Sequence, residues 1–504
     1  NFRSLKNKKE EFELLLHDTN PDIVIGTESW LDKNVLDNEF FPENFTVYRR
    51  DRESDAHGGV FLAVHKKFIS APADDLNTNT EIIWTKIKLV SNKFLYVGAC
   101  YRSDNQKFDH DLQIEEIANS LSLLGRTSSH LILGGDFNFP NIDWANGSVP
   151  PGSRNTRLQE KFIDVVRDHS LEQVVDFPTR GDNTLDLILT NIPQKVNRVE
   201  SLPPIGNSDH DITFAEIDVS LKINKKAPRK IYKYHKADWD KFREELQLEI
   251  ARIMNDTEHQ DVNRMWACFK TKVNSLIDKC IPFKRSTGKH HLPWVTTPIR
   301  RLMRKRDRAY KKWRKSGKED HREQFLKLRS QAQKATRESY WSYINDLIVS
   351  TPDLDTEQNF GKFKKFWAYI KALKRDYSGV QPLKQDGTLH IDPVSKANAL
   401  NRQFTSVFVS DPPTPLPDKG NSIHPTMPDI KVSASGVLKL LSNLNIHKAC
   451  GPDQINSRVL KECKDIIAPF YTRLFQLSID TGVVPDDWKC SNISPIYKKG
   501  ERYK

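Results

Sequence analysis

Ile205-Gly206-Asn207-Ser208-Asp209-His210-Asp211, read together with the earlier Gly134-Gly135-Asp136-Phe137-Asn138, decides how this chain is understood. Each is a short run of carboxylate, amide and imidazole groups at the end of an apolar strand. Leu131-Ile132-Leu133 precedes one and Ile212-Thr213-Phe214 follows the other. A sheet holds polar groups at its strand ends rigidly over a cleft, which is where metal-assisted phosphodiester hydrolysis is built.

Outward from these two runs, residues 1–220 alternate helix and strand patterns. Leu5 to His17 places Phe12, Leu15 and Leu16 at helical spacing, and Ile23-Val24-Ile25 then reads as a buried strand leading to Gly26-Thr27-Glu28. Further strands are expected at Gly58 to Val64, Ile82 to Val90, Phe94 to Tyr101, His130 to Gly135, Leu185 to Thr190 and Ile212 to Ile217, with helices at Asp109–Leu124 and Thr156–His169. So many strands with so few helices between them predict a layered α/β sandwich and not a strictly alternating parallel sheet.

Residues 221–230 break the pattern and read as a linker. From Trp239 to about Ile348 the composition is helical, with Phe242, Leu246, Ile250 and Met254 on one face. Residues 281–340 carry 19 Lys+Arg against 5 Asp+Glu, interleaved with Tyr310, Trp313, Phe325, Tyr340 and Trp341. Ser410 to Pro428 holds six prolines and is expected to be extended and mobile. Beyond it, Val432–Asn443 is amphipathic, Lys448 to Asp453 is a turn, and Val459–Gly482 is helical again.

The net charge of +12 hides a division. Residues 1–220 hold 23 Lys+Arg against 35 Asp+Glu, or −12. The rest holds 78−23 = 55 against 66−35 = 31, or +24. The basic part is the natural partner of a polyanion, and the acidic part can spare carboxylates for a metal. Six cysteines show neither a C-x-x-C pair nor zinc spacing, so a reduced intracellular compartment is expected. No run approaches the length of a membrane span and no signal segment opens the chain, which argues against secretion. Asn1 in place of an initiator Met, and the charged run closing at Lys504, lead us to expect a fragment of a longer polyprotein or of a pseudogene-like reading frame.

Cleaving a phosphodiester needs a cation on the developing charge, an activated water in line, and donors around the phosphoryl oxygens. Glu28, Asp136 and Asp209 are hard oxygen ligands at comparable strand ends. Asn1 and Asn138 orient a phosphate or a water without adding charge, His210 serves a phosphate oxygen, and Asp186 fixes the His210 tautomer. Taken singly, Glu28 is an ordinary exposed strand-end acid and Tyr101 a half-buried aromatic. Asp186, inside Leu-Asp-Leu-Ile-Leu, needs a partner to offset its burial.

At these residues the chain resembles the endonuclease/exonuclease/phosphatase superfamily, which includes DNase I and the apurinic endonucleases. More closely, it is similar to the endonuclease-plus-reverse-transcriptase polyprotein of non-LTR (LINE-like) retrotransposons of the jockey and chicken-repeat type. The stretches that carry the resemblance are, in order, Asn1-Phe2-Arg3-Ser4-Leu5, Gly26-Thr27-Glu28-Ser29-Trp30-Leu31, Gly58-Gly59-Val60, Tyr101-Arg102, Gly134 to Asn138, Phe177-Pro178-Thr179-Arg180, Thr184 to Ile188 and Ser208-Asp209-His210. The resemblance implies a four-layer, DNase I-like α/β sandwich. It implies that Glu28, assisted by Asn1 and Asp209, holds Mg²⁺ or Mn²⁺, and that Asp136 with Asn138 positions and deprotonates the attacking water. His210, steadied by Asp186, contacts the scissile phosphate. Tyr101 stabilises the transition state or leaving group, Thr179 and Ser208 either support the groups that touch the substrate or make backbone contacts, and all three of Thr179, Ser208 and Arg102 are candidates for nucleic-acid contact. One departure matters: the apurinic endonucleases carry an Asp where this chain has Arg3, which puts abasic-site specificity in doubt.

Ile446 to Ile455, Pro485 to Lys489 and Ile493 to Gly500 resemble the beginning of the reverse-transcriptase domain of these elements. The aromatic-Ala-Asp-Asp run of the polymerase is absent from this sequence, so no polymerisation is expected of the chain as given.

The expectation is therefore an endonuclease domain over 1–220, a mostly α-helical basic connector over 221–430, and a truncated reverse-transcriptase start over 431–504. The implied reaction nicks DNA by hydrolysis and leaves a 3′-hydroxyl that primes reverse transcription. Implied partners are the DNA substrate and, in the full-length parent, the element RNA; no membrane is involved, and the nucleus is the expected place of action. Two alternatives stand beside it: a phosphatase of the same fold acting on a phosphoinositide or nucleotide, and a non-catalytic nucleic-acid-binding remnant.

Overall fold

The computed structural model describes residues 1–52, 57–125, 129–224, 230–255, 261–285, 292–349, 382–409 and 428–495, with isolated positions between 366 and 380 and at 420. Two packing units emerge, one from the described parts of 1–225 and 290–405, the other from those of 226–289 and 406–500. These units cut across the expected three-segment division, whose connector contributes to both.

The first unit is organised by side-chain alternation along Glu81–Lys88 (β5). Ile82 and Trp84 point to one face and Ile83 and Ile87 to the other. The same parity continues in Phe94–Tyr101 (β6), where Cys100 faces one way and Val97, Ala99 and Tyr101 the other, and in His130–Asp136 (β7), where Leu131 and Leu133 oppose Ile132. With Ser70–Pro72 (β4), Glu172–Gln173 (β8) and Asp186–Thr190 (β9), these strands form a six-stranded sheet in the order β4-β5-β6-β7-β9-β8. One face packs on His110–Leu124 (α3) and Thr156–Asp168 (α4), through Ile114, Ile117, Phe162 and Ile163.

The other face meets a second sheet, in which Val60–His65 (β3) lies between Ile23–Thr27 (β1) and Phe45–Arg50 (β2). Val60, Leu62 and Val64 of β3 join the inter-sheet core, whereas Phe61 and Ala63 face outward onto Phe12 and Leu16 of Lys9–Thr19 (α1). Helices, sheet, sheet and helix make a four-layer α/β sandwich. The short helix Asp37–Phe40 (α2) completes the connection between β1 and β2. Val196–Leu202 (β10) and Ile212–Ile217 (β11) form a separate antiparallel pair. Between β1 and β11 lies a cavity of about 470 Å³ lined by Ile23, Ile25, Ile212 and Phe214, and among the described residues neither strand has a ladder partner on that side. Leu221 and Ile223, expected in a linker, are bridged to Leu89 and Phe68 of the sandwich.

A basic helical hairpin, Thr297–Ser316 (α7) and Glu319–Val349 (α8), belongs to this same unit. Ile299, Met303, Ala332, Tyr340 and Ile344 pack with Leu14 of α1, so the hairpin covers the outer helix of the sandwich. Tyr310 and Phe325 are 1 % exposed and Trp313 stacks on Phe325 at 5.6 Å. Three of the interleaved aromatics, Tyr310, Phe325 and Tyr340, are therefore buried packing residues and not a platform for bases. Trp341 is exposed.

In the second unit, Trp239–Asn255 (α5) and Val262–Cys280 (α6) form an amphipathic pair. Their buried faces (Phe242, Leu246, Trp266, Phe269) pack with Val437, Leu441, Ile467, Phe470 and Leu474 from the helices Ala434–Ser442 and Lys464–Thr481. Phe269 and Phe470 stack at 4.2 Å between centroids. The stretch after residue 430 is thus better buried than its own composition predicts, because α5 and α6 supply the other half of its core. Most of Ser410 to Pro428 lies outside the described residues. Among the described residues, no helix is long and apolar enough to cross a membrane.

Candidate active site

Strand register assembles the site. Tyr101 of β6 pairs with Asp136 of β7, and Asp136 with Asp186 of β9. Glu81 of β5 pairs with Tyr101 on the other side, so one rung crosses four strands. By the alternation above, the whole rung faces the second sheet, at the end where β1 delivers Glu28. Gly135 makes this close approach possible: at φ +155° a Cβ there would sit 1.8 Å from the Cys100 carbonyl oxygen.

Asn1 joins the carboxylates, its Nδ2 donating to Glu28 Oε1 at 2.8 Å and to Asp136 Oδ2 at 2.7 Å, while its main-chain nitrogen is 3.2 Å from Asp186 Oδ1. The Tyr101 hydroxyl donates to Glu28 Oε1 at 3.1 Å. Asp186 Oδ2 lies 2.7 Å from His210 Nδ1, which turns His210 Nε2 toward Asp136 Oδ2, 3.9 Å away. Asp136, Asp186 and His210 form a buried cluster whose ligand atoms lie within 4.8 Å of one another. Asp136 is 1 % exposed and His210 2 %.

Electrostatics separates the two aspartates. Burial, reinforced by the Asp186 charge, pushes the Asp136 carboxyl up to about 7. Asp186 is buried too, but it accepts hydrogen bonds from His210 Nδ1 and from the Thr179 side chain, contacts that favour its charged form. Burial and the Glu28 charge raise the Tyr101 phenol, which keeps it a neutral donor. Packed hard-oxygen donors of one sign are the setting that a divalent cation relieves, so the donor set fits such an ion.

The remaining expected residues are placed differently. Asp209 is turned away from the cluster, 2.9 Å from Arg180 Nε and 3.2 Å from Arg3 Nη1. Those ion pairs occupy the carboxylate expected to assist the metal, and Arg3, the departure noted in the sequence, is one of the two partners. Asn138 sits at φ 50° with its amide nitrogen donating to the Arg102 carbonyl at 2.9 Å, and its main-chain N–H donates to Asp136 Oδ1 at 3.1 Å. It shapes the turn after β7.

The three candidates for nucleic-acid contact are buried and internally bonded, which for Thr179 and Ser208 is the supporting role expected as the alternative. Arg102 is 4 % exposed and donates to the Phe137 and Asn138 carbonyls at 2.6 and 2.8 Å. Thr179 Oγ1 accepts from the Leu185 and Asp186 N–H groups, each at 3.0 Å. Ser208 Oγ donates to the Asn1 carbonyl at 3.1 Å and accepts from the His210 N–H at 3.2 Å. They brace the site from behind. The sequence gives no hint of the part played by Lys8: 3 % exposed, it donates to the Phe2, Arg3 and Ser4 carbonyls and pins the segment that carries Asn1. A lysine one residue ahead of an amphipathic helix carries no signal of that task.

The layered α/β sandwich is the fold of the endonuclease/exonuclease/phosphatase class, and the buried carboxylate–imidazole cluster lies at its strand ends. Residues 95–214 match the family model "Endonuclease-reverse transcriptase", and over nearly its whole length the chain is similar to non-LTR retrotransposon proteins. It is 22 % identical over 99 % of its length to the "RNA-directed DNA polymerase from mobile element jockey" of Drosophila melanogaster, covering 54 % of that protein. It is likewise 22 % identical over 95 % of its length to the "Putative 115 kDa protein in type-1 retrotransposable element R1DM" of the same species, covering 46 % of it. The chain thus spans about half the length of the curated relatives it matches. Among solved structures, the endonuclease domain of TRAS1, a telomere-specific non-LTR retrotransposon, aligns at TM-score 0.34 and 16 % identity, covering 43 % of this chain and 96 % of that one. An AP endonuclease from Archaeoglobus fulgidus aligns at 0.33 and 16 %, covering 44 % and 97 %.

Proposed function

We infer that this chain is a divalent-cation-dependent DNA endonuclease, and that in its parent protein the 3′-hydroxyl it leaves primes reverse transcription of element RNA. The observation that carries this reading is the single rung Tyr101–Asp136–Asp186, closed by the 2.7 Å contact between Asp186 and His210. The Asp186 carboxylate accepts from His210 Nδ1 and leaves Nε2 to face the scissile phosphate. Asp136, with its carboxyl raised to about 7, is matched to taking a proton from water near neutral pH. Tyr101, kept protonated, donates to developing negative charge. Glu28 and Asn1 are the groups that would hold Mg²⁺ or Mn²⁺; when bound, the ion would supply Lewis-acid stabilisation of the phosphoryl charge.

The substrate is held by the outer face of α7, where Arg301, Arg304, Lys305, Arg308, Lys311 and Lys312 are placed. Action on chromosomal DNA places the protein in the nucleus. The test is incubation of the purified chain with supercoiled plasmid, with Mg²⁺ and with EDTA. Nicked circles that appear only with the cation support the reading, and nicking undiminished in excess EDTA rejects the metal mechanism. Products that a polymerase extends carry the 3′-hydroxyl; products that need phosphatase treatment first do not.

A further inference from the structure

The turn that carries His210 is gripped from outside by the helical hairpin. Gly206 adopts φ +54°, and a Cβ there would meet the Lys8 side chain at 2.5 Å, so the turn lies tight against the start of α1. Its N–H donates to Glu11 Oε2 at 3.0 Å. Its carbonyl oxygen accepts from Arg329 Nε at 3.0 Å, from Arg329 Nη2, and from Gln333 Nε2, all on α8. Arg329 Nη2 also donates to the Ser208 carbonyl at 2.9 Å. One guanidinium thus spans two carbonyls of the three-residue run that ends two positions before His210.

A second grip holds the far end of the same turn. The Tyr310 hydroxyl of α7 donates to Asp211 Oδ2 at 2.7 Å and also bonds Ser201 Oγ. Arg314 Nη2 lies 3.4 Å from Asp211 Oδ2 and donates to the Pro178 carbonyl. Pro178 precedes Thr179, whose hydroxyl receives the Asp186 N–H and whose carbonyl receives the Asp211 N–H at 2.7 Å. The hairpin therefore touches the supports of both members of the His210–Asp186 pair without touching either side chain.

We propose that Arg329 and Tyr310 are positioning residues for the nuclease site, and that the hairpin α7–α8 is an integral part of the catalytic unit, bracing the 205–211 turn so that the His210 ring meets Asp186. The kinetic half of this proposal rests on the nuclease reading; the structural half does not. A reacting group displaced by about 1 Å costs on the order of 10²-fold in rate, so a brace on this turn has leverage on turnover and little on binding.

The experiment uses the full 504-residue chain with Arg329→Ala, Arg329→Lys and Tyr310→Phe, and Arg301→Ala on the exposed face for comparison. Amide hydrogen exchange is expected to quicken about tenfold or more at Ser208 and His210 in Arg329→Ala, with the β5–β7 amides as protected as in the parent. In plasmid nicking, Arg329→Ala is expected to lower kcat about tenfold or more with KM within about twofold, and Arg329→Lys to regain part of that loss through one retained donor. Arg301→Ala is expected to raise KM. Parent-like exchange over 205–211 together with parent-like kcat in Arg329→Ala would overturn the proposal. If Arg329→Ala loosens the whole sheet, Tyr310→Phe decides, since it removes one hydroxyl: faster exchange confined to 205–211 supports the brace, and unchanged exchange rejects it. A parent chain that cuts no DNA refutes the nuclease reading alone, because the exchange measurement still decides the brace.

Discussion

His210 depends on Asp186 for its tautomer, and Asp186 depends on a rung of the sheet for its place. Asp186→Asn keeps the shape but removes the charge that orients the imidazole, and His210→Ala removes the ring. Each is expected to lower nicking by about two orders of magnitude or more while the fold survives, as is usual when a transition-state donor or its orienter is lost. A variant with an intact circular dichroism spectrum that cuts like the parent would show the residue misassigned. Glu13 on α1 makes a prediction about stability: burial, reinforced by Glu10, pushes its carboxyl up to about 7, against an ordinary value of 4.5. A raised carboxyl means that the folded chain binds more protons than the unfolded one between these two values, so stability declines as pH rises from about 4.5 to about 7 and stays reduced above. Glu13→Gln is therefore expected to raise the melting temperature at pH 8, by an amount equivalent to about 1–2 kcal/mol once solvent screening is discounted, and to change it little at pH 4. Equal shifts at both pH values would remove burial of the charge as the cause.

At the scale of elements, legibility followed apolar alternation. Phe94–Tyr101 and Ile212–Ile217 have the bounds read from sequence, and α3 and α4 fall within a residue of expectation, Asp109 serving as the cap of α3. Phe45–Arg50 escaped because Arg49 and Arg50 make it look like a polar loop; Arg50 in fact spends its guanidinium on the Thr78 and Thr80 carbonyls at 2.5 and 2.6 Å. In the site, Glu28, Asp136 and His210 were legible as strand-end polar groups, Asp186 as a carboxylate inside an apolar run, Asn1 as an uncharged orienting amide and Tyr101 only through the resemblance, and the structure brings them together. Asp209 and Arg102 were not legible in their actual settings, since nothing local says that an Asp will meet two arginines or that an Arg will be buried under a turn. The helix Lys464–Thr481 was readable as helical, but the partner for its apolar face lies some two hundred residues away in α6. Phe470→Ala, which opens a void beside Phe269, is expected to cost about 3–5 kcal/mol in the unfolding of the second unit, followed by urea denaturation and by proteolysis within 457–481. A parent-like midpoint would show that this face is not a core.

At the scale of the whole molecule, the acidic sandwich and the basic hairpin share one packing unit, so part of the charge division seen in sequence is a division within that unit. Replacing Arg301, Arg304, Lys305 and Lys312 by Gln is expected to weaken DNA binding and to flatten its dependence on salt, by roughly one logarithmic unit of slope for each phosphate no longer neutralised. Binding measured from about 50 to 200 mM salt checks this, and an unaltered slope would make the face merely solubilising.

The brace also has a consequence in time. Arg329 lies 123 residues beyond Gly206, so on a ribosome adding about 5–20 residues per second the turn at Gly206 waits roughly 6–25 seconds for the arginine that grips it. Nascent chains stalled within that interval would carry every acid, amide and imidazole of the site and are expected to cut slowly, so that on the proposed reading DNA cleavage emerges only once translation has passed the hairpin.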